Sequence, residues 1–320
     1  MEKTPYYSWK NNSLCQGCQL CVQGKKLVLF VTGLCSRKCF YCPLSERKKN
    51  KDRIWANEWE IKNDKEIIKE AELCESKGAG MTGGDPIIKL DRTIKYIKML
   101  KKRFGQKFHI HLYAPLVNIT EKKLEKLYKA GLDEIRFHPD IQNKKLWYKV
   151  LLAKKFDWLI GIEIPIIPLF EKQTIELIDY FKNNVDFFNF NELEFSDTNA
   201  QNLVKLGLKT KDKISYGVKG SQTLALALLK KYPNLKIHYC TATLKDKVQL
   251  ANRIKRRAKN AANKLDIITS DGTLIRGAIY LDELKPGFGY RKKISKIKNS
   301  REEYYLISPQ RLHMKEGYGY

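Results

Sequence analysis

Between Lys26 and Phe195 the hydrophobic pattern switches repeatedly between the two-residue period of a strand and the longer period of a helix, and no other feature restricts the fold as strongly. Lys26-Leu-Val-Leu-Phe-Val-Thr32 reads as a buried parallel strand, ended by Gly33. Strands are then expected at residues 79–82, 108–113, 132–137, 158–164 and 187–195. Helices are expected between them at 65–76, 92–103, 120–130, 144–154 and 173–183, with Thr120 as an N-cap. Six strands in alternation with helices point to parallel pairing with right-handed crossovers, as a barrel or an open doubly wound sheet. In both, chemistry gathers at the carboxyl ends of the strands.

Cysteines occupy that end. Six of the eight fall between Cys15 and Cys42, and no apolar signal segment precedes them. Such crowding suits metal ligation in a reducing compartment better than a disulfide framework. Cys35-Ser-Arg-Lys-Cys39-Phe-Tyr-Cys42 follows the first strand directly. Its three thiolates can hold three irons of a cubane cluster and leave the fourth iron open. A zinc knuckle lacking one ligand is the alternative reading of the spacing alone. Thr82-Gly83-Gly84-Asp85-Pro86 ends the second strand on the same face, and glycines there let main-chain atoms approach a ligand closely.

With both motifs in this order, the sequence resembles the radical S-adenosylmethionine (radical SAM) superfamily. The resemblance covers about residues 27–196. It implies a partial (β/α)6 barrel in the α/β class, with a cysteine-rich extension before it and a basic extension after it. It also implies a [4Fe–4S] cluster on Cys35, Cys39 and Cys42 that cleaves S-adenosylmethionine to a 5′-deoxyadenosyl radical. Tyr41 stands where the family places an aromatic residue near the adenine. Gly83, Gly84, Asp85 and Pro86 match the family's Gly-Gly-Glu-Pro stretch, which meets the methionyl amino group. Asp85 is shorter than the usual Glu, so either its carboxylate or only the backbone makes that contact. Glu163, in Gly161-Ile-Glu-Ile-Pro165, resembles part of the cofactor-contacting fifth strand. The run from Val28 to Cys42 also looks like archaeal relatives of pyruvate formate-lyase activating enzymes.

Strand alternation puts His109, His111 and Tyr113 on one face. His111 is therefore a candidate cofactor contact, against the equally plain reading of a histidine satisfied by polar neighbours. Cys15-Gln-Gly-Cys18-Gln-Leu-Cys21 opens like a ferredoxin-type cluster motif. With Cys240 it is expected to hold a second metal centre, [4Fe–4S] or zinc. Residues 22–26 would have to fold back to bring these cysteines towards Cys240. Cys74 reads as a small buried hydrophobe.

The chain carries 61 basic and 35 acidic residues, a formal charge of +26. Attraction to a polyanion follows, with RNA, most plausibly tRNA, as the leading partner and compositional drift as the plain alternative. A helix over residues 245–263 is expected to present Arg253, Arg256 and Arg257 to phosphates, with help from Arg291–Lys298 and nearby tyrosines. A hairpin is expected at 266–276, turning at Asp271-Gly272. The units expected are 1–26, 27–240 and 241–320. No membrane segment is evident, and a cytoplasmic location is expected. Three functions fit: modification of RNA; generation of a protein radical or another protein modification, with ferredoxin or flavodoxin as electron donor; and a non-catalytic iron–sulfur or zinc module that binds RNA.

Overall fold

The computed structural model describes residues 1–277 and 304–307. Seven parallel strands form the body of one sheet: β3 (Lys26–Phe30), β6 (Gly78–Thr82), β7 (His109–Pro115), β8 (Glu134–His138), β9 (Leu159–Ile166), β10 (Phe187–Glu192) and β11 (Ile237–Cys240). Antiparallel β2 (Trp9–Asn11) and β1 (Glu2–Lys3) extend the β11 edge. On the opposite edge, β4 (Trp55–Ala56) and β5 (Trp59–Glu60) extend β3. The sequence expects six parallel strands. The seventh, β11, runs parallel to β10, with Cys240 opposite Asn191.

Helices α2 (Asp64–Leu73), α3 (Leu90–Phe104), α4 (Glu121–Lys129), α5 (Glu171–Phe181), α6 (Ala200–Lys205) and α7 (Ser221–Lys231) follow in turn, after α1 (Gln16–Val22) near the start. Thr120 caps α4, its hydroxyl accepting from the Lys123 N–H. The segment Lys144–Lys155 is a run of 3-10 turns rather than the expected α-helix. A short α8 (Ala242–Leu244) continues through a π-helical stretch, Lys245–Leu250, into α9 (Ala251–Ala261). The expected hairpin is present as β12 (Ile267–Ile268) and β13 (Leu274–Gly277), and β14 (Tyr304–Ile307) adds a third strand.

One face of each parallel strand is apolar. Leu27, Leu29, Ala79, Met81, Ile110, Leu112, Ile135, Phe137, Ile162, Ile164, Phe188 and Phe190 are all buried in the main core with the surrounding helices. Burying each large aliphatic side chain stabilises the fold by about 1.5–3 kcal/mol. The opposite face, towards the lumen, is polar: Lys26, His109, His111, Glu134, Arg136, Glu163, Asn189 and His238 are buried there. Strands that alternate in this way dictate a greasy shell around a charged interior.

The N-terminal segment belongs to that interior. Helix α1 packs against β3, β6 and β7. A Cβ added at Gly17 would lie 2.5 Å from Arg136 Nη2 and 2.7 Å from His111 Nδ1, so the α1 backbone rests directly on lumenal side chains. The chain does fold back as expected, and Val22 joins Cys240, Leu244 and Val248 in one apolar cluster.

The expected phosphate-tracking arginines are spent inside the protein. Arg253 pairs with Glu58 at 2.5 Å, Arg256 with Glu75 at 2.9 Å and Arg257 with Glu70 at 2.9 Å. Arg257 also lies 4.5 Å above the Trp59 ring. Each acidic partner sits in or beside β5 or α2, so α9 is a packing helix laid across that edge. Residues 291–298 lie outside the described residues, as does the side chain of Tyr305.

Candidate active site

The loop after β3 carries Cys35, Cys39 and Cys42, all half-buried. It has no regular secondary structure over residues 35–39, so its shape is set by outside clamps. Arg37 donates to the His138 carbonyl at 2.9 Å and pairs with Asp140 at 3.3 Å. Asn199 donates to the Tyr41 carbonyl at 3.1 Å, and Thr198 to the Leu44 carbonyl at 2.9 Å. The loop is thus gripped from the ends of β8 and β10. The Arg37 N–H points at Cys35 Sγ at 3.4 Å. Burial is the main cause pushing the Cys35 and Cys39 thiols up; Asp85, Cys39 and Cys42 add to it at Cys35, and Cys42 and Asp140 add to it at Cys39. The Arg37 guanidinium pulls Cys39 back down. Three half-buried thiols on one loop, beside a fixed cation, are a donor set that suits a thiophilic metal.

Gly83 and Gly84 lie against this loop. A Cβ at Gly83 would fall 2.3 Å from the Thr32 carbonyl oxygen, and one at Gly84 2.4 Å from that of Leu34. No side chain fits at either position. Asp85 is fully buried: one carboxylate oxygen accepts from the Ile87 N–H at 3.0 Å, the other from Asn118 Nδ2 at 2.7 Å. Asn118 also donates to Ser36 in the cysteine loop at 2.9 Å. Pro86 opens the 3-10 turn that Asp85 caps. Both carboxylate oxygens accept hydrogen bonds inside the protein, and the main chain of Gly83 and Gly84 lies at the same strand end.

A hydrogen-bonded path leads from the loop into the lumen. Tyr41 Oη is 2.9 Å from His138 Nε2, and His138 Nδ1 is 2.8 Å from the Glu163 carbonyl, so that nitrogen carries the proton. The Glu163 carboxylate takes Arg136 at 2.8 Å and Asn191 at 2.9 Å. Arg136 also donates to Glu134 at 2.5 Å and points at Cys15 Sγ at 3.3 Å and Cys18 Sγ at 3.6 Å. His111 lies lower, its Nδ1 buried without a hydrogen-bond partner and 3.9 Å from Glu134. Burial first, then Arg136 and Lys26, holds its pKa well below the ordinary imidazole value. Cys15 and Cys18 pack beside Phe187, whereas Cys240 lies with Val22. Among the described residues, no three His, Cys, Asp or Glu side chains already converge at metal-ligand distances, and this applies to both cysteine sets alike.

The structure therefore brings Tyr41, the Gly83–Pro86 stretch and the Cys35–Cys42 loop together at the carboxyl ends of the strands. Glu163 reaches them only through His138, and His111 lies nearer α1 than the loop. The loop clamps Arg37, Asn118, Thr198 and Asn199 do not stand out in the sequence. Only the polar run Ser196–Asn199 after a strand could have flagged two of them.

The model of the radical SAM superfamily matches residues 29–190, the span that holds the loop, the whole of β6 to β9 and parts of β3 and β10. The chain belongs to the radical SAM superfamily. Membership of this family makes the protein an enzyme that uses a [4Fe–4S] cluster and S-adenosylmethionine. This radical SAM enzyme is 45% identical over 281 residues to a Methanocaldococcus jannaschii protein with the provisional name of glycyl-radical enzyme activating enzyme; the match covers 85% of the chain and 75% of that protein. Two solved radical SAM structures are similar. The methyltransferase TsrM from Kitasatospora setae has a TM-score of 0.42 and 10% identity, with 85% of this chain and 60% of that one covered. Coproporphyrinogen III oxidase from Escherichia coli has a TM-score of 0.42 and 10% identity, with 70% and 57% covered. The chain thus spans about 60% of the length of these solved structures. No described helix is long and apolar enough to cross a membrane.

Proposed function

We propose that this radical SAM enzyme activates a partner protein by abstracting a hydrogen atom from one of its glycines. The observation that carries this reading is the 45% identity to a protein named for that activity. Cys35, Cys39 and Cys42 would hold the cluster, and the main chain of Gly83 and Gly84 would meet the methionyl end of S-adenosylmethionine. When bound, the two together supply one-electron cleavage of S-adenosylmethionine and hydrogen-atom abstraction. The chain's own residues hold and orient them. Arg37, Thr198 and Asn199 fix the loop, and Tyr41, anchored by neutral His138, offers a flat apolar face beside Cys42. Helix α1 fills the lower lumen, so substrate enters at the mouth, as a flexible protein loop can do.

A reductant of the ferredoxin or flavodoxin class supplies the electron in this reading, in the cytoplasm. The reading also includes a second metal centre, iron–sulfur or zinc, on Cys15, Cys18, Cys21 and Cys240. Modification of tRNA is less favoured, because the arginines expected to meet phosphates are paired with carboxylates.

The test is anaerobic reconstitution with iron and sulfide, followed by dithionite, S-adenosylmethionine and either the protein or the RNA fraction of the host cell. A protein-borne glycyl doublet in electron paramagnetic resonance is expected with the protein fraction and not with a Cys35/Cys39/Cys42→Ala variant. Consumption of S-adenosylmethionine coupled only to RNA would overturn the reading.

A further inference from the structure

The N-terminal cysteines lie inside the barrel, a placement that their position before the first strand does not suggest. Cys15 and Cys18 are buried in one cluster with Phe187. Cys21 follows one turn later on α1, next to Val22, which packs against Cys240. Buried cations face them. Arg136, 1% exposed, points one nitrogen at Cys15 and Cys18. Lys26, 3% exposed, is held by His109 Nδ1 at 2.8 Å and the carbonyls of Ala79 and His109. Arg136 meets Glu134 through Nε and Glu163 through Nη1, which leaves Nη2, the nitrogen aimed at Cys15 and Cys18, to donate to thiolate sulfur around a metal. Buried polar atoms also lack partners on this same wall: His111 Nδ1 and Glu134 Oε2.

We infer that α1 carries a thiolate metal centre into the barrel lumen, with Cys15, Cys18, Cys21 and Cys240 as ligands and Arg136 as its hydrogen-bonding counter-charge. This deepens the second centre of the proposed function by giving it a place and a positioning residue. Binding of a metal ion or an iron–sulfur core replaces the four S–H bonds by four metal–sulfur bonds, and four protons leave to solvent. No electron changes hands in that step. Arg136 links this centre to the radical site, because its other terminal nitrogen holds Glu163, whose carbonyl holds His138 against Tyr41.

The decisive protein is the full chain with Cys35, Cys39, Cys42 and Cys74 all changed to alanine, which leaves only Cys15, Cys18, Cys21 and Cys240 as cysteine ligands. It is reconstituted anaerobically with iron and sulfide or with zinc alone. Retention of about four irons and four sulfides per chain, or of about one zinc, is expected, and the two results identify the metal. Adding Cys15→Ala and Cys18→Ala should abolish it. No retained metal in a chain that keeps its circular dichroism spectrum and cooperative melting would overturn the inference. Because no S-adenosylmethionine is needed, its failure is distinct from failure of the activating reading. Arg136→Gln should shift the spectrum or reduction potential of a retained iron–sulfur centre, or the affinity for a retained zinc, and Arg136→Lys should restore part of the shift. A centre identical in all three would remove Arg136 from the assignment.

Discussion

Asp85 shows how a single residue can be tied to a motif for reasons other than ligand contact. Its carboxylate caps one turn and holds Asn118, which in turn holds Ser36 of the cysteine loop. Asp85→Ala should orphan these donors and cost about 1–3 kcal/mol. Asp85→Asn keeps one acceptor for the Ile87 N–H and should cost under half as much. Urea unfolding and titration with S-adenosylmethionine would measure both, and an Asn variant that binds as poorly as the Ala variant would mean that the charge itself meets the ligand. His138 gives a pH prediction. Burial first, and Arg37 second, lowers its pKa to about 4. Its neutral form is favoured in the fold, so below an unfolded value of about 6.5 the unfolded chain takes up a proton that the folded chain refuses. Stability should therefore fall as pH drops from about 6.5 to about 4 and level off below, with about 2 kcal/mol lost by pH 5 from this group. His138→Gln should flatten that part of the acid limb in unfolding measured at pH 7 and pH 5. The cysteine spacing and the Gly-Gly-Asp-Pro stretch make the cluster loop legible in the sequence, because both are local. Arg37, Asn118 and Asn199 are not legible, since each acts across contacts between residues far apart in the chain.

Among the elements, α9 illustrates where a helical pattern misleads. Its arginines have the spacing of a phosphate-binding face, but a sequence does not show that Glu58, Glu70 and Glu75 stand opposite. These pairs differ in worth. Glu70 is nearly buried and also accepts from Asn57 and from the Cys74 thiol. Removing it leaves Arg257 and Asn57 without their partner, so Glu70→Ala should cost about 3 kcal/mol. Glu75 is exposed, and Glu75→Ala should cost less than about 1 kcal/mol. Thermal unfolding of the two variants would separate them, and equal losses would show that α9 does not depend on the buried pair. Helix α1 is the other element that local pattern hides. Its short cysteine-rich segment has no apolar stripe to reveal that Gly17, Cys18 and Val22 are buried while Gln16 and Gln19 stay exposed. Gly17→Ala should push a methyl into Arg136, which is pinned by Glu134 and Glu163, at a cost of about 1–3 kcal/mol.

Across the whole molecule, the alternation of strands and helices made the barrel readable, because parallel strands need crossovers and a polar lumen needs every second residue polar. The extra strand β11 was not readable in that role, since its partner β2 comes from the far end of the chain. Charge is the remaining large-scale property. The lumen contributes little to the excess of +26, because Arg136 faces Glu134 and Glu163, and Lys245 faces Glu194. The excess therefore falls largely outside the lumen, and net positive charge of this size favours polyanions without selecting among them. Any RNA bound should be held non-specifically: log affinity should fall linearly with log salt, and unrelated RNAs of equal length should compete equally. RNA should also leave the rate of 5′-deoxyadenosine formation unchanged at moderate salt. Filter binding across a salt series, paired with product analysis, would test this, and a single tRNA that resists competition and stimulates turnover would reassign the surface as a substrate site.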